Sequence, residues 1–241
     1  MVKVILLLCL VGLVFGAYIV DQPDAAAGYD AIINGYHSPI YGDWRVKNHG
    51  TYTIFGFSEQ AYAWGWKYEL AKYDLSTIPS GAIIDSAYLI LSKQVSSGTV
   101  ILYTAQILRD WGEGNKYEAT ATAGECSWNC YAFPNTWTIA GCQGVGTDRT
   151  APLDSQIVAG DSPLKLNIIN TTQAIIDAAN NYGMVIYTIG TTNYWYGYSS
   201  DEAVASRRPK LEVWYHDVPV SIARKWRGYY DGENLRTWGI K

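Results

Sequence analysis

Tyr62, Trp64, Trp66 and Tyr68 stand at strict alternation, a spacing that places four rings on one face of a strand. Tyr194, Tyr196 and Tyr198 repeat the device further along the chain. Sugar rings present C–H faces that lie against aromatic planes, and their hydroxyls bond to Tyr, Asn and Lys. A row of exposed Trp and Tyr is therefore a saccharide platform. The first stripe is equally readable as the inner face of a sheet, the second reads rather more readily as one, and both readings stay open at this point. Arg45, Lys47, His49 and Lys67 lie near the first stripe in sequence and could pair with uronate or sulfate groups, Arg bidentately.

Other residue groups offer different chemistry. Asp110-Trp111-Gly112-Glu113-Gly114-Asn115 combines bend-permitting glycines with oxygen donors. Asp110 and Glu113 are its candidate calcium ligands, without the regular oxygen spacing of an established calcium loop. A structural calcium is the one cofactor the sequence suggests. Cys126, Cys130 and Cys142 fall close together, and in an oxidising compartment two of them can bridge. Zinc would want a fourth ligand, and His37, His49 and His216 are far from the cysteines in sequence. Asn170-Thr171-Thr172 is a glycosylation sequon if the host modifies secreted proteins. Asp110 with Glu113, and Asp201 with Glu202, are the carboxylate pairs a glycosidase could use at roughly 5–10 Å separation. No nucleophile elbow, HExxH, phosphate loop or dinucleotide fingerprint supports an enzyme, and no catalytic residue is assigned.

The elements that must position these groups are short strands. Turn clusters such as Ile78-Pro79-Ser80-Gly81 and Asn180-Asn181-Tyr182-Gly183 separate β-favouring runs at Ile83 to Leu91, Thr99 to Ile107, Met184 to Ile189 and Leu211 to Tyr215. That pattern predicts an all-β antiparallel sandwich or barrel. One short helix is predicted over Thr171 to Ala179, with Thr171 or Thr172 capping its start. Twenty Tyr and ten Trp against four Phe suit half-wet surfaces, and a net charge of −4 argues against a nucleic-acid binder. Lys3 followed by an apolar run to Phe15 has the form of a signal peptide over residues 1–16, too short to span a bilayer comfortably. No later run is long enough to anchor the chain, so the expected location is extracellular or at the cell surface, with no membrane span. The sandwich domain is expected over residues 17–215. Residues 216–241 form a basic aromatic extension, with five Lys or Arg against three acids.

Several motifs in order resemble one known family. Lys72-Tyr73-Asp74-Leu75-Ser76-Thr77-Ile78-Pro79-Ser80-Gly81-Ala82 runs into Ile83-Ile84-Asp85-Ser86-Ala87-Tyr88-Leu89. Asp110-Trp111-Gly112-Glu113-Gly114, Ser127-Trp128-Asn129 and Asn181-Tyr182-Gly183 follow. The series closes with Ser199-Ser200-Asp201-Glu202-Ala203 and Arg208-Pro209-Lys210-Leu211-Glu212-Val213-Trp214-Tyr215. Together they are similar to the DNRLRE domain, the disaggregatase-related family, over roughly Gly28 to Tyr215. The resemblance implies a secreted β-sandwich of jelly-roll type, often attached to polysaccharide-active proteins and in some members itself binding acidic polysaccharide. Asp43 to Tyr68 is more aromatic than the family pattern, and Val218 to Lys241 continues past it.

The expectation is a secreted, non-catalytic polysaccharide-binding module contacting glycan through Tyr62, Trp64, Trp66, Tyr68, Arg45, Lys67, Tyr194 and Tyr196. The alternative from another class is a structural subunit of an extracellular filament, surface layer or virion appendage, self-assembling through the C-terminal extension. A disaggregatase-like cleaving activity rests on the resemblance alone.

Overall fold

The structure is a computed structural model that describes residues 16–60, 65–217, 227–230 and 235–238. The expected signal peptide up to residue 15, the ring pair Tyr62 and Trp64, and most of the C-terminal extension lie outside the described residues. One compact unit spans Phe15–Asp217. In the extension, Arg227–Tyr230 and Leu235–Trp238 pair as an antiparallel hairpin.

The strands that build the unit are β1 (Gly16–Asp21), β2 (Asp30–Asn34), β3 (Ile54–Gln60), β4 (Gly65–Ala71), β5 (Ile83–Leu91) and β6 (Lys93–Ser97). They continue with β7 (Val100–Gln106), β8 (Asp154–Val158), β9 (Leu164–Asn167), β10 (Met184–Thr188), β11 (Tyr194–Tyr198) and β12 (Lys210–His216). A four-stranded sheet runs β1-β12-β5-β9. An eight-stranded sheet runs β8-β7-β10-β4-β3-β11-β6, with β2 on the free edge of β4. The named pairs in both sheets are antiparallel, so the all-β sandwich expected from the sequence is the fold observed.

Alternation explains which face each residue takes. On β12, Leu211, Val213 and Tyr215 are buried while their neighbours are half-exposed. They join Leu89, Leu91, Phe55, Phe57, Trp195 and Ile186 in the core between the sheets. The large sheet buries its other face too. Val185 and Tyr187 on β10, Tyr68 and Leu70 on β4, and Ala31 and Ile33 on β2 form a second core with Trp111, Trp128 and Trp137. Those tryptophans come from the long excursion between β7 and β8, which covers this face. Strand β10 is consequently buried at every position, as a strand covered on both faces must be.

The helix α1 is Ile169–Asp177, two residues earlier than the sequence predicts, and its predicted caps are not caps. Ile168 occupies the N-cap without a side-chain bond, and Thr171 and Thr172 are buried within the first turn. The cap comes from another element. Asp154 on β8 accepts from the Asn170 amide at 3.2 Å and the Thr171 amide at 2.8 Å, and from the Thr171 hydroxyl at 2.7 Å. A carboxylate across the gap satisfies the orphan N–H groups as a local residue would.

Candidate functional site

Strand β11 splits its aromatics between two environments. Trp195 is wholly buried against Phe57, whereas Tyr194 and Tyr196 are half-buried and stack on each other at 5.1 Å. Gly56 on β3 lies directly opposite Tyr196, and a Cβ there would sit 2.0 Å from the tyrosine ring. The glycine lets the ring lie flat on the neighbouring backbone. Lys67 on β4 reaches the same ring, its Nζ 5.0 Å from the Tyr196 centroid.

Around Lys67 the rings continue. Trp44 stacks with His49 at 5.9 Å, His49 meets Tyr52 edge-on at 5.9 Å, and Tyr52 meets Tyr117 at 5.2 Å. Tyr52 is also within electrostatic reach of Tyr196. Lys47 covers Trp44 with its Nζ 4.1 Å from the ring centroid. Burial lowers the Lys67 ammonium to about 8, partly offset by the charge of Glu118. Burial and the charges of Lys67 and Lys47 push His49 down to about 3, so its imidazole is neutral. Both His49 ring nitrogens are buried without a hydrogen-bond partner. Burial raises the Tyr52 phenol to about 12. The result is a basin of rings, from buried His49 through half-buried Trp44, Tyr52, Tyr194 and Tyr196 to exposed Tyr117, around cationic side chains, suited to sugar faces and to anionic substituents.

The first stripe divides differently. Trp66 and Tyr68 share a face, as their spacing requires, but that face is the one opposite Lys67. Tyr68 is buried against Trp128 at 5.2 Å, and Trp66 is 43% exposed, stacked on the same Trp128 at 5.9 Å. The structure therefore brings Lys67 together with Tyr194 and Tyr196 and separates them from Trp66 and Tyr68. Arg45 is already held: its Nε and Nη2 donate to the two oxygens of Asp43, both at 2.8 Å.

The three cysteines correct the disulfide expectation. Cys126, Cys130 and Cys142 are buried free thiols. Cys126 Sγ lies 3.7 Å from the Glu113 carbonyl and Cys142 Sγ 3.8 Å from that of Asp148. Burial raises all three thiols. Asp110 is exposed, and Glu113 converges with Asp30 and Asp201 in a group that does not include Asp110. Asn170 is exposed, its amide bonded to Asp154 at 2.8 Å, and Thr172 of the same sequon is fully buried.

Sequence reasoning missed Trp44, Tyr52 and Tyr117 as parts of the basin, because nothing in their spacing ties them to β11. It also missed Asp30 and Glu69, though a charge inside an apolar strand such as Asp30-Ala31-Ile32-Ile33 is itself a signal. A cleft of about 450 Å³ beside the small sheet, lined by Gln22, Ile90, Ser92, Arg208 and Lys210 among others, contains no aromatic ring. No helix among the described residues is long and apolar enough to cross a membrane.

The fold and basin together define an all-β antiparallel sandwich carrying an aromatic, cationic surface. No family model and no curated protein matches the chain.

Proposed function

We propose that the protein is a secreted, non-catalytic module that binds polysaccharide, acidic polysaccharide in particular, through the basin around Lys67. The carrying observation is two groups of rings, Trp44–His49–Tyr52–Tyr117 and Tyr194–Tyr196, with Lys67 set against Tyr196. Rings supply flat apolar area for sugar C–H faces, while Lys67 and Lys47 supply charge for a carboxylate or sulfate. The resemblance to the DNRLRE domain and the signal-like residues 1–16 support the same reading.

The test is a glycan array followed by affinity electrophoresis with polyuronates, sulfated polysaccharides and neutral glucans. Anionic glycans are expected to bind, and Tyr196→Ala and Lys67→Met to weaken binding at least tenfold while the circular dichroism stays native. Because Lys67 titrates at about 8, it carries its charge below that pH and loses it above. Affinity for a polyuronate therefore falls as pH rises through 8, and Lys67→Met flattens that dependence. A blank array from folded protein would overturn the reading and favour assembly through residues 216–241.

A further inference from the structure

On the far side of β4 from Trp66, three carboxylates from distant parts of the chain meet. Asp30 opens β2, Glu113 lies in the excursion after β7, and Asp201 follows β11. One carboxylate oxygen of each lies within 4.8 Å of the other two. The backbone fixes the arrangement: the Asp30 amide donates to Glu113 Oε1 at 2.9 Å, and the Ser200 amide donates to Asp30 Oδ2 at 2.9 Å.

Two further buried polar groups with an unpartnered oxygen lie within electrostatic reach of Asp30. The β2–β4 register sets Asp30 opposite Ala71 and Ile32 opposite Glu69, so Asp30 and Glu69 are diagonal neighbours on one face. Glu69 is wholly buried; its Oε2 accepts from the Gly56 amide at 2.9 Å, and its Oε1 has no hydrogen-bond partner. Tyr73, 4% exposed, carries a hydroxyl that also lacks a partner and lies in the field of Asp30 and Glu69. None of the ion pairs among the described residues includes Asp30, Glu69, Glu113 or Asp201. Arg208 acts on Asp201 only from a distance, its Nε being bonded to the Glu202 carbonyl at 2.6 Å. Burying like charges together without a counter-ion is costly.

We propose that Asp30, Glu113 and Asp201 hold one divalent cation, calcium by the chemistry of the donors. The donors are hard oxygens from the start of one strand and from two irregular segments. Calcium accepts six to eight such ligands in flexible geometry, whereas magnesium demands a near-ideal octahedron. No histidine belongs to the group, and the Cys126 thiol is turned to the Glu113 carbonyl, so softer metals find few ligands. The Glu69 oxygen and the Tyr73 hydroxyl supply polar backing behind the ion. The ion ties β2, the excursion after β7 and the loop after β11 into one unit. This site is independent of the glycan reading.

The test is thermal unfolding of the full chain in excess calcium, excess magnesium and chelator, with titration calorimetry for stoichiometry. Calcium at a hundred times its Kd is expected to raise the melting temperature by roughly 5–10 °C over chelator. One equivalent should bind, and magnesium should do much less. Glu113→Gln and Asp201→Asn should abolish the calcium shift yet melt no lower than the parent in chelator, because neutral amides relieve the repulsion. Asp110→Asn should keep the full shift. Superimposed parent curves in calcium and chelator would overturn the site. So would a calcium shift that survives either Glu113→Gln or Asp201→Asn.

Discussion

Trp128→Ala should remove the keystone of the second core, while Trp66→Ala should remove only its lid. Trp128 is 4% exposed and touches both Trp66 and Tyr68. Two glycines clear its space: a Cβ on Gly35 would lie 2.8 Å from the indole, and one on Gly141 2.5 Å. A buried Trp removes about 250 Å² from water, which at about 25 cal/mol per Å² is about 6 kcal/mol as an upper bound. Aromatic-to-alanine changes in cores cost about 3–5 kcal/mol, and that is the loss expected for Trp128→Ala. Trp66 keeps 43% of its surface in water and rests on one ring, so about 1–2 kcal/mol is expected. Urea unfolding followed by far-ultraviolet circular dichroism separates the two. With m near 2 kcal/mol/M, the midpoint should fall by about 2 M for Trp128→Ala and by less than about 1 M for Trp66→Ala. Equal midpoint shifts would refute the division of this stripe into buried Tyr68–Trp128 and exposed Trp66.

Two other perturbations test local claims. Asp154→Ala removes the cap that β8 lends to α1 and strips the Thr171 hydroxyl of an acceptor, so it should cost about 2–3 kcal/mol in the same urea assay. Asp154→Asn, which keeps one acceptor oxygen, should recover part of that loss. The buried, proton-retaining thiols of Cys126, Cys130 and Cys142 should resist alkylation in the native protein and react fully in denaturant, read by peptide mass spectrometry. A disulfide-linked peptide among them in the native protein would contradict the free-thiol packing.

Where periodicity ruled, the sequence was readable. The run Ile83 to Leu91 is a strand over those residues, and Leu211 to Tyr215 extends by only one residue at each end. Both alternate against a single core, so local pattern and tertiary burial agree. The excursion between β7 and β8 was not readable because side chains organise it in place of a regular ladder. Asp148, fully buried, accepts from the amides of Thr138 and Ile139, each at 2.9 Å, and of Gly144 at 3.1 Å. No spacing rule announces such a hub. The cysteines misled for a related reason: closeness in sequence suggested a bridge, but the folded loop buries all three as free thiols.

Strand β4 explains why the candidate site could be half seen. Alternation within Gly65–Ala71 correctly set Trp66 and Tyr68 on one face, but it says nothing about what lies opposite. That depends on pairing. Toward its start β4 pairs with β3, as Ser58 opposite Lys67; toward its end it pairs with β10, as Ile186 opposite Glu69. The partner on one edge thus changes between Lys67 and Glu69, while β2 holds the other edge throughout. Lys67 is delivered to the tyrosines beside β3, and Glu69, two residues on, to Asp30 and the carboxylates around it. A two-residue step along one strand therefore separates the cationic, ring-lined basin from the cluster of carboxylates. Ring faces receive the charge of Lys67 at the changeover, whereas burial raises the Glu69 carboxyl well above its ordinary range, so it holds a proton unless a cation joins it. That asymmetry is the physical reason to look for the ion.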